Sequence, residues 1–268
     1  MLVIVFLVLI LANNPLIHSN PFKGAYADTS IKAIGTFEIK TSFQDTDLYS
    51  INTGYWIASL IAVAGSPYPC QLRTSYITYI FSIMLRIKSS TQAEIRLRVE
   101  VWNHETNLFK EFDLWSMDIP RSINPSYTFK LHIEYVEEGL YIILYKDGGV
   151  VDYFTVYRDD YGNPDDSCFL IGNGYAGTIR YMQFGVEVPI SPTPITLYVW
   201  QWDIKYLYNG QWYEINKAYL SRGDLTPINR NSSGNVFAIG GQNNPFLRYI
   251  YYSDAGKLKW YVYYPRVI

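Results

Sequence analysis

The chain has 268 residues, of which 49% are hydrophobic and 17% are charged. This is the composition of a globular protein, and it excludes a largely disordered chain. The 22 basic and 24 acidic residues leave a net charge of −2, so nothing in the charge balance supports nucleic acid as a partner.

An apolar run at the N-terminus, residues 2–12, predicts export. The run is too short to cross a bilayer as a helix, which takes about 20 residues. An Ala-Tyr-Ala pattern at residues 25–27 then predicts a cleaved signal peptide over residues 1–27. No Lys or Arg precedes the apolar run, so an uncleaved N-terminal anchor is the alternative, and it would be the chain's only contact with a membrane. Both interpretations predict a secreted or cell-surface protein.

Alternating apolar and polar residues are the main structural signal after this leader. Residues 94–101 and 127–135 alternate in this way, which predicts strands with one buried and one solvated face. The 26 tyrosines, 13 phenylalanines and 7 tryptophans also favour strands. Hairpins with Asp-Gly, Asn-Gly and Ser-Asp-Ala-Gly turns are predicted over residues 140–157, 204–215 and 249–264.

The pattern predicts an all-β protein with very little helix, because no segment keeps apolar residues at helical spacing. Residues 76–87 are apolar at nearly every position, which indicates a strand covered on both faces. We therefore predict an antiparallel two-sheet sandwich over residues 30–188. The proline-rich segment 189–194 predicts a stiff linker. Residues 195–268 would form a smaller C-terminal β region, either a domain of its own or one packed back onto the first.

Two short features fit an exported protein. Cys70 and Cys168 are the only cysteines, and an even pair in an exported chain predicts a disulfide. Two buried free thiols are the alternative. Asn231 begins an Asn-Ser-Ser sequence and is the predicted glycosylation site.

No metal or cofactor site is predicted. His104 and His132 lack ligand partners at suitable spacing, and the acidic segment 159–166 lacks the spacing of a calcium loop. The glycine-rich residues 172–177 precede a strand-like run, whereas a dinucleotide fingerprint precedes a helix. There is no G-x-S-x-G motif, and the few histidines argue against a serine or cysteine nucleophile.

Carboxylates and aromatic residues remain as candidates. Two facing carboxylates would be needed for hydrolysis of glycosides or for acid proteolysis, but we interpret each acid outside the leader as a solvated surface residue. Aromatic residues concentrated between residues 200 and 213 predict a platform for an extracellular glycan or protein; burial in the core is the alternative. The predicted ligand-binding residues are Trp200, Trp202, Tyr206, Tyr208 and Trp212.

The order of several stretches resembles the thermopsin-type acid proteases of archaea. The stretches are a Tyr-Trp strand at residues 54–60, a "D-x-h-x-h" strand at 151–156, a strand before a glycine-rich turn at 178–186, and a strand with an Asn-Gly turn and a Gly-Asp-Leu-Thr sequence at 197–226. The resemblance covers residues 50–230, and no single motif in it is specific. It implies a concanavalin-like jelly roll of the kind that glutamic peptidases share.

The departures from this family argue against catalysis. Ala58 and Ser59 stand where the resemblance implies a glutamine, and residues 182–184 are Met-Gln-Phe where it implies an Asp/Glu pair. We therefore expect a non-catalytic extracellular binding module. One alternative is an acid endopeptidase with Glu187 and Asp224 as candidate acids. The other is a structural subunit of a surface assembly, joined through an exposed strand edge.

Overall fold

A computed structural model describes the backbone of twelve segments of the chain. They are residues 22–28, 36–44, 46–67, 77–103, 108–123, 125–136, 139–157, 177–187, 195–214, 219–220, 253–254 and 257–264. The predicted disulfide cysteines Cys70 and Cys168, the candidate acid Asp224 and the predicted glycosylation site Asn231 lie outside these segments.

The described chain is almost entirely β-strand, with one 3₁₀ turn at Leu48–Ser50. The strands are β1 (Phe22–Asp28), β2 (Thr36–Ser42), β3 (Trp56–Pro67), β4 (Ile77–Ile87), β5 (Gln92–Asn103), β6 (Leu108–Pro120), β7 (Thr128–Val136), β8 (Gly139–Lys146), β9 (Gly149–Tyr157), β10 (Gly177–Glu187), β11 (Ile195–Tyr208), β12 (Gln211–Glu214), β13 (Tyr219–Leu220), β14 (Ser253–Asp254) and β15 (Lys257–Tyr264).

These strands form two antiparallel sheets. Sheet A has the order β13-β1-β10-β3-β4-β5-β6, and sheet B has the order β14-β15-β11-β2-β7-β8-β9, with β12 paired to β11. The chain crosses between the sheets several times, as after β1, β2, β6, β9 and β10. The predicted all-β jelly-roll sandwich is confirmed. No helix among the described residues has the length and apolar character needed to span a bilayer.

The hydrophobic core lies between the sheets and follows from the alternation of their strands. On β5, Ile95, Leu97 and Val99 are fully buried and belong to the core, while the residues between them face outward. On β7, Phe129 and Ile133 are likewise fully buried. The predicted alternation of core-facing and outward-facing residues is present on both strands, but Glu94 and Glu100 on the outward face of β5 are buried, so that face is not solvated along its whole length.

Two of the predicted hairpins close through left-handed residues. Asp147 and Gly148 have φ angles of 51° and 87°, and Asn209 has a φ of 49°. Positive φ at the turn matches the twist of the flanking strands, which is why Asp-Gly and Asn-Gly favour such turns. The predicted hairpins at residues 140–157 and 204–215 are thus confirmed as β8–β9 and β11–β12. In the third hairpin, β14 pairs with the start of β15.

Strands from both sides of the predicted linker share the same sheets. β11 pairs with β2 in sheet B, and β13 pairs with β1 in sheet A. β1 itself contains the Ala-Tyr-Ala pattern of the predicted signal peptide, and it pairs with β10 over seven positions, from Phe22 opposite Glu187 to Asp28 opposite Tyr181.

A polar link crosses the core between the two sheets. The Gln201 side chain is fully buried, and its Nε2 donates to Ser59 Oγ at 2.9 Å, Leu60 O at 3.1 Å and Gly185 O at 3.1 Å. The Thr41 hydroxyl donates to the same Ser59 oxygen at 2.5 Å. Buried polar groups that satisfy one another in this way fix how the sheets stack.

Candidate functional site

The outward face of sheet A carries a groove across β3, β4, β5 and β6. Residues opposite each other in an antiparallel pair point to the same face, so rows of side chains cross the sheet. One such row runs from Ala58 through Met84 to Arg96. The space above these rows, here called the sheet A groove, has a volume of about 310 Å³. Its lining residues are Gly54, Trp56, Ala58, Ile80, Ser82, Met84, Arg86, Arg96, Arg98, Glu100 and Glu111.

The floor of the groove is made of buried residues that lie outside the core between the sheets. Ala58 and Ile80 are each 2% exposed, and Ser82 is 4% exposed, although all three lie on the outward face of their strands. Together with Met84 they give a mostly apolar floor with one hydroxyl. An apolar floor with a few polar groups around it is the usual make-up of a site for a small ligand.

One end of the groove pairs an indole with a guanidinium group. Trp56 is the first residue of β3 and is half-buried. Its Cα lies opposite that of Arg86 on β4, which is exposed. A tryptophan at a groove rim offers a flat apolar face with a polar N–H at its edge, a combination suited to stacking against a ring that also carries hydroxyls.

The segment that leads into Trp56 is held by a buried arginine. Arg121, just after β6, is 9% exposed. Its guanidinium group donates to the carbonyl oxygens of Leu48 at 2.9 Å and Tyr49 at 3.2 Å, and also to that of Ile51. One planar donor group thereby satisfies several carbonyls of the 3₁₀ turn and the residue after it. Arg121 is therefore a positioning residue for the start of β3.

A chain of ion pairs forms the charged wall of the groove on β5 and β6. Arg96 donates from Nη2 to Glu94 Oε2 at 2.8 Å and from Nη1 to Asp113 Oδ2 at 2.6 Å. Arg98 donates from Nε to Asp113 Oδ1 at 2.8 Å, and its Nη1 lies 3.4 Å from Glu111 Oε1. Asp113 thus bridges both guanidinium groups, which holds them in fixed orientations.

The same contacts shift the pKa values of Arg98 and Asp113. Burial opposes the charged form of Arg98, but its hydrogen bond to Asp113 and the charges of Glu111, Asp113 and Glu100 raise its pKa. Burial would raise the pKa of Asp113, yet the hydrogen bond and charge of Arg98 and the charge of Arg96 lower it. Arg98 and Asp113 therefore stay charged over a wider pH range than they would in water.

Two carboxylates meet at the same place in the groove. Glu100 on β5 lies directly opposite Glu111 on β6, and both line the groove. Sequence reasoning did not select either residue. The predicted candidate acid Glu187 ends β10, and its Cα lies opposite that of Ala58 on β3. Its position in the register therefore borders the row that contains Ala58.

The predicted aromatic platform is divided by the geometry of β11. The register of β11 against β2 shifts between Trp202 and Lys205, and Asp203 within this bulge has a φ of 49°. A bulge inserts one extra residue, so the side chains after it change face. Before the bulge, Gln201 is buried in the core, and its neighbours Trp200 and Trp202 therefore lie on the outward face of sheet B.

The tyrosines of the predicted platform lie on the other face. Tyr206 packs against the core and stacks on Tyr213 at 5.6 Å between ring centroids, and Tyr208 lies 6.3 Å from the same ring. Trp212 lies opposite Leu207. Leu207 lies between Tyr206 and Tyr208 and faces the opposite way, so Trp212 lies on the outward face of sheet B. The five predicted residues do not form one surface.

A charged cluster lies beneath Trp212 on sheet B. His132 Nδ1 lies 2.7 Å from Glu38 Oε1, and its Nε2 lies 2.8 Å from Glu134 Oε1. Lys205 Nζ lies 3.0 Å from Glu38 Oε2 and 4.7 Å from the centroid of the Trp212 ring. Only a protonated imidazole can donate to both carboxylates at once.

These contacts shift two pKa values in opposite directions. Hydrogen bonding to Glu38 and Glu134 raises the pKa of His132, in spite of its burial. Burial would raise the pKa of Glu38, but hydrogen bonds from His132 and Lys205, with the charges of Lys130 and Lys205, lower it to about 2. His132, predicted to be solvent-facing, is half-buried and lies on the predicted face.

The described segments contain no candidate metal site. No three His, Cys, Asp or Glu side chains within them gather as metal ligands.

Comparison with known proteins leaves the chain without an assigned family. No protein-family model matches it, and no curated protein matches it. Several solved structures share some similarity with this chain. The sialidase CBM40 of Ruminococcus gnavus, bound to α2,3-sialyllactose, is 15% identical with a TM-score of 0.25 over 61% of this chain and 85% of that chain. A Bacillus licheniformis β-glucanase is 10% identical with a TM-score of 0.19 over 59% and 67%. An endo-β-galactosidase from Clostridium perfringens that releases GlcNAcα1-4Gal is 13% identical with a TM-score of 0.26 over 88% and 58%. Similarity at this level assigns no activity to this chain.

Proposed function

We propose that this chain is an exported, non-catalytic binding module that holds an extracellular carbohydrate in the sheet A groove. The observation that carries the proposal is the composition of the groove. Trp56 stands at one end, arginine–carboxylate pairs line the wall, and an apolar floor lies between them.

Each part of the groove has a counterpart in a sugar ring. The apolar face of a pyranose packs on an indole. Its hydroxyls act as donors and acceptors, which suits a wall that offers both guanidinium N–H groups and carboxylate oxygens. Because Asp113 already orients Arg96 and Arg98, a ligand meets side chains whose rotamers are largely fixed, and binding costs less conformational entropy.

The experiment compares two tryptophans on opposite sheets. The purified full chain is screened against immobilised neutral and acidic oligosaccharides, and bound ligands are then measured by calorimetry. Trp56→Ala should weaken binding at least about tenfold, whereas Trp212→Ala, on the outward face of sheet B, should leave it unchanged.

Loss of binding with Trp212→Ala and not with Trp56→Ala would move the site to sheet B, to the aromatic residues predicted from sequence. No binding to any oligosaccharide by a folded protein would reject the carbohydrate proposal.

A second candidate function is hydrolysis, and the pairing of Glu100 with Glu111 favours it. Residues directly opposite in an antiparallel pair have Cβ atoms about 4.5–5.5 Å apart, which allows their carboxyl groups to act on one substrate. Two-carboxylate catalysis needs one group to hold a proton and the other to be ionised. Arg98 forms an ion pair with Glu111 and lies near Glu100, which supports binding more than proton donation.

Hydrolysis is tested directly. The protein is incubated with denatured casein between about pH 2 and about pH 5, and separately with the oligosaccharides that it binds. Cleavage that disappears in Glu100→Gln and Glu111→Gln would establish an enzyme. Cleavage that survives both and disappears in Glu187→Gln would instead support the thermopsin-type acid peptidase.

A further inference from the structure

The strand that contains the Ala-Tyr-Ala pattern, β1, has a neighbouring strand on each side in sheet A. It pairs with β10 over all of its residues and with β13 on its other side. The pattern itself takes part in both pairings, because Ala25 lies opposite Phe184 on β10 and opposite Leu220 on β13. A sequence that predicts a cleavage site is therefore part of an inner strand of the sheet.

Cleavage after this pattern would take the strand away from the folded protein. A cut after Ala27 removes all of β1 except Asp28. Among the strands that the structure describes, β1 alone covers this side of β10 and alone pairs with β13. Without it, β10 would end the sheet with unpaired N–H and C=O groups over residues 181–187. Natural sheets avoid long unprotected edges, because such edges pair with other chains.

The part of β10 that β1 covers also belongs to the core. Phe184 is 1% exposed and Val186 is fully buried, and both lie opposite residues of β1. Between them, the carbonyl of Gly185 accepts a hydrogen bond of 3.1 Å from the buried amide of Gln201. Loss of β1 would therefore place core residues and part of the link between the sheets at an open edge.

We propose that β1 is a permanent strand of the exported protein, so that any cleavage of the leader lies before Phe22. Ser19 is the only Gly, Ala or Ser among residues 13–21. A cut after Ser19 would leave β1 whole and would give a leader within the usual length of about 15–30 residues. The proposal rests on the proposed export and is independent of the carbohydrate site.

The first measurement is the N-terminus of the exported protein. The full chain is produced in an exporting host, and the protein is analysed by intact mass and N-terminal sequencing. We expect every residue of β1 to be present. Ala27→Leu removes the small residue that a cut before Asp28 needs, and it should leave the N-terminus where it is in wild type.

The second measurement is backbone hydrogen exchange in the same protein, read by mass spectrometry. Amides of residues 22–28 should exchange at least about tenfold more slowly than in a synthetic peptide of that sequence, because they lie in a paired inner strand. β12 (Gln211–Glu214) is the internal reference. It is exposed and pairs with β11 alone among the described strands, so it should exchange faster than β1.

The third measurement compares the two possible mature chains. The chain that begins at Asp28 should unfold at a temperature at least about 5 °C lower than the chain that begins at Asn20, or should fail to fold. Residues 20 and 21 precede β1, so the difference between the two chains reports mainly on this strand.

Three outcomes would overturn the proposal. They are an exported, folded protein that begins at Asp28, fast exchange throughout residues 22–28, and equal unfolding temperatures of the two chains. Failure of export is read separately. A chain that stays in the cell with its leader would reject export, whereas slow exchange of β1 in that chain would still support its place in sheet A.

Discussion

Gln201 on β11 and Ser59 on β3 are joined by a buried hydrogen bond of 2.9 Å, which ties sheet B to sheet A through the middle of the core. The same amide nitrogen also donates to two carbonyls of sheet A. Each sheet could otherwise slide over an interface made of aliphatic and aromatic side chains. Together with the hydrogen bond between Thr41 and Ser59, this polar contact fixes their relative position, and its loss is open to measurement.

The first prediction concerns this link. Gln201→Leu keeps a side chain of similar volume but removes the amide N–H donor. The buried oxygens of Ser59, Leu60 and Gly185 then lose this hydrogen-bond partner. We expect a loss of about 1–3 kcal/mol in the free energy of unfolding, measured with urea. Gln211→Leu, at an exposed position on β12, is the control and should change stability by less than about 0.5 kcal/mol.

The Gln201→Leu, Ser59→Ala double variant separates loss of the hydrogen bond from loss of packing. Removing both polar partners should recover part of the stability. Equal losses in Gln201→Leu and Gln211→Leu would contradict a special role for the buried amide.

The second prediction is a stability maximum between about pH 4.5 and about pH 6.5. The folded-state pKa of His132 is raised above its ordinary value of 6.5, so its contribution to stability is complete below pH 6.5 and is lost as the pH rises through the folded-state pKa. The pKa of Glu38 falls from 4.5 to about 2, so its contribution is present above 4.5 and is lost as the pH falls toward 2.

Urea unfolding at a series of pH values tests both limbs. His132→Gln should flatten the alkaline limb relative to wild type, because Gln carries no proton that depends on pH. An unchanged alkaline limb in this variant would assign that limb to another group.

The third prediction concerns the turn between β8 and β9. Gly148 has a φ of 87° with open space around a would-be Cβ, so Gly148→Ala should destabilise by about 1 kcal/mol through backbone strain alone. Gly149→Ala is the matched control. A Cβ there would lie 3.7 Å from Lys146 O, which is ordinary contact, and the loss of glycine freedom in the unfolded chain should make this variant neutral or slightly stabilising. Thermal unfolding ranks the two, and the reverse order would contradict the turn geometry.

The fourth prediction connects Arg121 to the groove. Lys cannot reproduce the planar fork that reaches Leu48, Tyr49 and Ile51. Arg121→Lys should cost at least about 1–3 kcal/mol of stability and should also weaken ligand binding, because the segment before Trp56 loses its support. Arg86→Lys, at an exposed position, should leave stability within about 0.5 kcal/mol of wild type. Unchanged binding in a folded Arg121→Lys protein would contradict the positioning role.

The strands and turns of this fold could be predicted from sequence because their causes are local. Alternation over residues 94–101 places Ile95 and Leu97 in the core, and a glycine that follows Asp147 marks a tight turn. Each signal depends on residues that are neighbours in the chain. The confirmed strands and hairpins of the antiparallel sandwich could therefore each be predicted from a short stretch of sequence.

The groove could not be predicted in the same way. Arg96 and Arg98, alternating with Glu94 and Glu100, have the pattern of an ordinary solvated strand face. They become a wall only when β6 brings Asp113 beside them and β4 supplies the floor. Pairing partners and register are long-range properties, and one strand's sequence does not contain them.

The arrangement of the predicted aromatic residues could not be predicted for a different reason. The sequence predicts that Trp200 and Trp202 share one strand face and that Tyr206 and Tyr208 share one, and in a regular strand both pairs would lie on the same face. One extra residue at the bulge changes which way every later side chain points. Lys40 and Asp203 form an ion pair of 2.6 Å at the bulge, but no local sequence motif predicts the bulge.

Side chains of a regular strand alternate between two faces, and β11 has one extra residue, Asp203, at its bulge. If the strand ran regularly through Asp203, Ile204 would face water, Lys205 would enter the hydrophobic interior, and the hairpin bearing Trp212 would be carried to the opposite side. Deleting Asp203 would instead leave Ile204 inside and Lys205 outside, because the strand would then alternate regularly with the faces that these residues already have. One added residue, rather than the identity of any side chain, decides which face the rest of β11 presents.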